Sequence, residues 1–367
     1  TYPQILKQAG YYTIHVGKAH WGSAGTPMSN PLNLGFMVNI AGHAAGHPQS
    51  YYGNDNYGNI PGKSTYQSVP DLMNYHGSDT NLTEALTLEA IKSLEEPIRL
   101  KMPFYLNMAH YAVHVPIQPD VLFYQSYLEE GLDTANAKYA SMVASMDKSL
   151  GDIMKFLSAK DIAKNTIIIF MSDNGGLSLG GARGKIAHVQ NLPLRAGKGS
   201  MYEGGIRVPM IVKWPEVVKS NSTIHQYVIA EDFFPSILAM AGVSNFKTIQ
   251  KVDGKSFVPL LKNNTITDTN RILVWHYPNK WVDGDGPAIN YKSAIRQGSW
   301  KLIYDLRNGH KELYNLSYDI GEHFDLSMQQ PAKTKQLTLK LKEILEKNNA
   351  PMPSYKLNSK KVEILID

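Results

Sequence analysis

The chain contains no cysteine in 367 residues. Disulfides, thiolate nucleophiles and cysteine-rich zinc sites are thereby excluded, and any metal ion must be held by oxygen or histidine ligands. An excess of charge of one sign is also missing, since 37 basic residues face 32 acidic ones for a net +5. So small and evenly spread a balance gives no reason to expect nucleic acid or a membrane surface as partner, although it suits an anionic substrate. No apolar run reaches the roughly 18 residues that argue for a membrane span. The N-terminus lacks the basic, apolar and small-residue succession of a signal peptide and begins inside a helical pattern. What is present, 43% apolar and 19% charged residues with 21 tyrosines and 20 prolines, is the balance of a globular protein. The length suits a large domain with a smaller second one.

Ile5, Leu6 and Ala9 recur at helical spacing up to Gly10, and a strand is predicted over residues 11–16, which puts Lys18 and His20 in the loop after it. Residues 23–79 are rich in Gly, Asn, Pro, Tyr and His with little periodicity, the texture of a functional surface or an insertion. Asn81 with Glu84 opens a helix that Pro97 is expected to end. Residues 104–108 read as a buried strand, followed by a loop with His110 and His114. A long helix is predicted over residues 135–157, with Tyr139, Val143, Met146, Leu150, Ile153 and Phe156 on one face.

Five large apolar residues, 167–171, predict a strand covered on both faces, as in the middle of a parallel sheet. A strand at 208–214 and a helix at 233–241 continue the alternation, which argues for a doubly wound α/β domain over residues 1–265. Beyond it, residues 271–276, 288–297, 300–306 and 310–316 read as short strands and 333–348 as a lysine-rich helix. The second domain, 266–367, is therefore expected to be a smaller α+β subdomain of antiparallel sheet plus helix.

Asp173-Asn174 directly follows the most apolar strand and precedes Gly175-Gly176. Ligands of open α/β sheets bind at the carboxyl ends of strands, and a carboxylate beside an amide oxygen is a hard-ligand pair suited to Ca²⁺ or Mg²⁺. The same residues also make a strand-ending Asx turn. LPLRAGKGSMYEGGIRVP, residues 192–209, sets Arg195, Lys198, Glu203 and Arg207 among glycines. Such a loop lets backbone and a lysine approach phosphate or sulfate, but the phosphate-loop spacing is absent, and Glu203 and Arg207 are spaced to pair with each other. His20, His110 and His114 are natural proton donors near neutral pH. His110 is not followed by the Glu of a zinc-binding helix, and Pro116 argues against a long helix there. His43, His47, His76 and His188 read as exposed bystanders.

In their order these segments resemble the formylglycine-dependent sulfatases of the alkaline-phosphatase-like superfamily. LKQAGYYTIHVGKAHWG is similar to that family's Gly-Tyr-x-Thr stretch leading to Gly-Lys-x-His-x-Gly, and FYLNMAHYAVHVP to the strand and loop ending in His-x-Pro, which selects His114 over His110. IIIFMSDNGG resembles the metal-binding Ser-Asp-Asn-Gly, and PLRAGKGSMYEGGIRVPMIVKWP the Lys-Gly-x-x-Tyr-Glu-Gly-Gly-x-Arg-x-Pro block. SAIRQGSWKLIYDLRNGHKELYNLSYDIGEHFDL is similar to the family's C-terminal subdomain.

The resemblance implies an alkaline-phosphatase-like fold, a doubly wound and mostly parallel sheet flanked by helices, and hydrolysis of sulfate esters on carbohydrates. It implies Ca²⁺, with Mg²⁺ as the alternative, on Asp173 and Asn174; Lys18 and Lys198 on sulfate oxygens; His20 assisting the nucleophile's hydroxyl; and His114 as general acid. The irregular stretch from Gly42 to Tyr57 and the turn His276-Tyr277-Pro278-Asn279 become candidate sugar-facing surfaces, with His276 a substrate contact. A formylglycine-generating or sulfatase-maturing enzyme is the implied partner, and the periplasm, the exterior or, in a eukaryote, the lysosome the implied location. The sequence departs from the pattern in one respect. The paired aspartates of the first strand and the Cys/Ser-x-Pro/Ala-x-Arg motif that yields formylglycine are absent, and both normally precede the block that here starts at Gly10. The expectation is a nucleophile segment before Thr1, without which this chain alone is inactive. The alternatives are a phosphatase or phosphodiesterase of the same superfamily, which would show further Asp and His ligands for two zinc ions, and a non-catalytic glycan- or anion-binding homologue.

Overall fold

The computed structural model describes residues 1–177, 190–281, 288–356 and 359–366, so His188 lies outside the described residues. They form two compact units, Thr1–Thr166 with Val228–Leu261 and Ile167–Tyr227 with Lys262–Asp367.

In the first unit β1 (Tyr12–Gly17), β2 (Val38–Ile40) and β3 (Phe104–Ala109) form a parallel sheet in the order β2-β1-β3. Thr13, Ile14, His15 and Val16 are all fully buried, the unalternating pattern of a central strand with both faces covered. β2 was not legible in the irregular stretch, because three residues are too few to show a period of two.

Helix Leu82–Arg99 starts as expected, Asn81 Oδ1 accepting from the Thr83 N–H at 2.9 Å. Pro97 does not end it. The proline lies inside the last turn and removes one N–H from the ladder, yet the Leu100 N–H still closes on Glu96 O at 2.9 Å.

The predicted long helix spans Thr134–Ala159 and its buried face is corrected in part: Ile153 is buried as expected, but Ala137, Ser141, Met142, Ser145, Ser149 and Leu157 are buried with it and Val143 is exposed. Small residues at every fourth position let neighbouring segments approach closely, and their hydroxyls are satisfied there. Thr87 Oγ1 donates to Ser149 Oγ and Ser145 Oγ to Asp120 Oδ2, both at 2.6 Å.

In the second unit β4 (Ile168–Met171) pairs with β5 (Met210–Lys213) antiparallel, which corrects the expectation of a strand inside a parallel sheet. Nor is β4 covered on both faces as expected, since none of its residues is fully buried and Met171 is exposed; an apolar run fixes neither the cover nor a partner's direction. The C-terminal sheet is as predicted. β6 (Ile272–Tyr277), β7 (Lys292–Gln297), β8 (Trp300–Asp305) and β9 (Lys311–Asn315) make an antiparallel meander. Helix Pro331–Lys347 packs Leu337, Leu341 and Leu345 against Ile295, Leu302 and Leu313 of that sheet.

A buried charge cluster ties residues 196–207 to this sheet. Glu203 accepts from Lys301 Nζ at 2.9 Å, Arg207 Nε at 2.7 Å and Arg296 Nη1 at 3.2 Å, and Lys301 Nζ also lies 2.8 Å from Glu322 Oε1. Burial alone would raise the Glu203 carboxyl, but the cations Lys301, Arg207 and Arg296 outweigh it and hold the group below the usual range. These pairs lie within the second unit, in which residues 167–227 group with the C-terminal region and not with the N-terminal one as a division at residue 265 would have it.

Candidate active site

β1 and β3 are adjacent and parallel, with Gly17 opposite Ala109, and the Lys18 N–H extends the ladder to Ala109 O at 2.7 Å. The loops bearing Lys18, His20 and His114 therefore leave one edge of the sheet, at the carboxyl ends of its strands, where ligands of such sheets bind. Gly17 has to be glycine, since its φ is +102° and a Cβ would lie 1.9 Å from Ala109 O. The strand end is pinned from behind. His15 Nε2 donates to Gly17 O at 3.0 Å, while Asn107 Nδ2 donates to His15 Nδ1 at 2.9 Å, which fixes the tautomer. Burial pushes His15 down to about 4, so it is neutral and structural.

The loop after β2 joins the same edge. The exposed His20 donates its N–H to His43 O at 3.0 Å, and its ring lies so close to Gly46 that a Cβ there would meet it at 2.8 Å. Tyr51 Oη donates to His114 O at 3.0 Å, and the His114 ring stacks on His47, centroids 5.4 Å apart. His47 is thus half-buried against His114 and not exposed, which corrects that part of the sequence reading; its position inside the 42–57 stretch was a hint. His43 and His76 are half-buried and not exposed. Burial pushes His110 down to about 4, which leaves it without an imidazolium proton to give at neutral pH.

In the second unit Asp173 and Asn174 follow β4 as expected. Ser172 Oγ donates to Asn174 O and Asn174 Nδ2 to Gly175 O, both at 2.8 Å. Gly176 O accepts from the Lys198 N–H at 2.7 Å and from Asn191 Nδ2 at 3.1 Å. The structure therefore brings Asp173, Asn174 and Lys198 onto two loops bonded side by side. The contact is close: a Cβ on Gly175 would lie 1.7 Å from Gly204 O. Glu203 and Arg207 pair, as their spacing allowed.

A hard cation fits Asp173 and Asn174 in donor chemistry. Asp173 is exposed, and the Asn174 amide donates an N–H to Gly175 O, a bond that leaves its own oxygen uncommitted to that contact. Two donors are part of a shell, since calcium takes about six to eight oxygens, and among the described residues no group of three or more His, Asp or Glu could hold an ion. His276 is corrected. It lies in β6, consistent with the strand predicted over residues 271–276, and Ser293 Oγ and Pro351 O engage its Nδ1 and Nε2, each at 2.7 Å, which speaks against the substrate contact expected of those nitrogens. No described helix is long and apolar enough to cross a membrane.

Comparison with known proteins gives these loops a context. The profile of the family described as Sulfatase matches residues 1–243, and that of N-sulphoglucosamine sulphohydrolase, C-terminal, matches residues 196–350. A sulfatase of Formosa agariphila is 34% identical over 307 residues, covering 78% of this chain and 54% of its own length. N-acetylgalactosamine-6-sulfatase of Mus musculus is 29% identical over 358 residues, covering 89% of this chain and 64% of its own. The chain thus spans roughly half to two thirds of these relatives. The solved structure of Ps i-CgsB superposes with a TM-score of 0.75 at 27% identity, covering 95% of this chain and 75% of that one. By its family profile and its relatives, the chain belongs to the sulfatase family.

Proposed function

We propose that the protein hydrolyses sulfate esters of carbohydrates. The observation that carries this reading is the placement of Lys18, His20 and His114 on loops from adjacent parallel strands, in a chain of the sulfatase family. Sulfate transfer gathers negative charge on oxygen, so cations fixed before the reaction stabilise its transition state. Lys18 and Lys198 hold sulfate oxygens, and His114 protonates the departing sugar oxygen, which as an alkoxide is a poor leaving group. His20 takes a proton from the attacking hydroxyl. Asp173 and Asn174 supply two ligands for Ca²⁺, or Mg²⁺, which draws charge from a sulfate oxygen when bound.

Carbohydrate as the substrate class is supported by relatives. One is named for N-acetylgalactosamine 6-sulfate, and Ps i-CgsB has been solved with k-i-k-neocarrahexaose. The nucleophile proposed is the formylglycine that the resemblance to this family implies, installed by a sulfatase-maturing enzyme. An exported or lysosomal location, which the resemblance to the family implies, is proposed with it.

The test is release of inorganic sulfate from sulfated sugars by the protein produced with its natural flanking sequence and a maturing enzyme. Sulfate release is expected, with a loss of about 100-fold or more in kcat/KM for Lys198→Ala. Release of phosphate from phosphate esters with none of sulfate overturns the reading.

A further inference from the structure

The second unit carries an aromatic side chain that the proposed chemistry does not use. Trp281 lies against the backbone of Gly199, the residue after Lys198. Gly199 has φ +86°, and a Cβ there would come 2.1 Å from the indole Cζ3, so the ring occupies the space a side chain would fill. The tryptophan is held at its own main chain, where its N–H donates to Asn290 Oδ1 at 2.7 Å, and Asn290 is buried with φ +60°. Beside it the Met201 N–H donates to Ala288 O at 3.0 Å, which joins the two segments a second time. An anchored ring is left 43% exposed, although an indole is among the largest apolar surfaces a protein can bury.

We infer that Trp281 is the platform on which the sugar ring of the substrate stacks, next to the sulfate group held by Lys198. The inference rests on the reading of the substrate as a sulfated carbohydrate. The physical fit is direct. One face of a pyranose is a patch of C–H groups with partial positive charge, which complements the negative face of an aromatic ring. Stacking is tolerant of substitution, so it supplies affinity while the polar loops select the sulfate position. The bond from the Trp281 main-chain N–H to Asn290 Oδ1 and the close contact with Gly199 restrict the indole before the sugar arrives, which lowers the entropy cost of binding. The inference also relocates a role that sequence had given to the neighbouring His276, whose ring nitrogens are already engaged.

The test compares wild type, Trp281→Ala and Trp281→Phe by calorimetric titration with N-acetylgalactosamine 6-sulfate, with neocarrahexaose and with inorganic sulfate, after thermal melts confirm folding. Wild type is expected to bind at least one of the sugars. Trp281→Ala should weaken that affinity about 5- to 10-fold, Trp281→Phe should restore most of it, and sulfate alone should bind all three proteins equally. Sugar affinity unchanged in Trp281→Ala overturns the platform and leaves the sulfatase reading standing. Binding of inorganic sulfate without binding of either sugar overturns both.

Discussion

The imidazole of His114 lies nearly parallel to that of His47, with ring centroids 5.4 Å apart and planes 8° from each other. A proton donor to a leaving group has to be held in one orientation, and stacking covers one face of the ring without using its nitrogens. If His114 is the proton donor proposed above, His47 is the residue that positions it. His47→Ala should lower kcat on sulfated sugars about 3- to 10-fold, the worth of one ring contact, with KM little changed. His47→Phe, which keeps the stacked area, should recover most of the loss. Equal kcat in all three proteins removes His47 from the site.

Stability should fall on mild acidification because of His15. Its pKa is pushed from 6.5 down to about 4 by burial. Protonation is thus disfavoured in the folded chain, so the stabilisation is fully present above about 6.5 and is lost as pH falls toward 4. At about 1.4 kcal/mol per unit, the loss is on the order of 3 kcal/mol. Urea melts between about pH 7.5 and 4.5 should show a shallower pH dependence for His15→Gln than for wild type, alongside a lower stability at the upper end. Parallel pH profiles would contradict this assignment.

Glu203→Gln leaves Lys301 and Arg296, both almost fully buried, short of a counter-charge. Removing one member of such a group costs about 3–5 kcal/mol. Glu96→Gln breaks a pair with Arg99 that is exposed on both sides, where water screens the charges, and should cost far less. Denaturant midpoints for the two variants measure the contrast, and similar costs would mean that the buried cluster is not holding its segments together.

Two glycines should respond oppositely to alanine. At Gly175 the new Cβ would lie 1.7 Å from Gly204 O, so Gly175→Ala has to push apart the loops of Asp173 and Lys198, with lowered stability and lowered activity. Gly151 lies inside helix Thr134–Ala159 with nothing within 4 Å of its Cβ position. Gly151→Ala should raise stability by about 0.5–1 kcal/mol. Thermal melts of both variants decide the matter.

The features legible in the sequence were those carried by short stretches of chain. Strands β1 and β3, the loops after them with Lys18 and His114, the Asp173-Asn174 strand end and the C-terminal meander each announce themselves within about ten residues, because periodicity and turn chemistry act locally. The order of those stretches also sufficed to identify the sulfatase family. Tertiary structure alone decided the rest. It turned Ser141, Ser145 and Ser149 inward beside Met142, Ile153 and Leu157, because the space available between packed segments, together with hydrophobicity, selects the inward face. It paired β4 with an antiparallel partner, occupied the ring nitrogens of His276, laid His47 on His114 and set Trp281 on Gly199. Each of these joins residues far apart along the chain, and a contact of that kind leaves no periodic trace in the sequence around either partner.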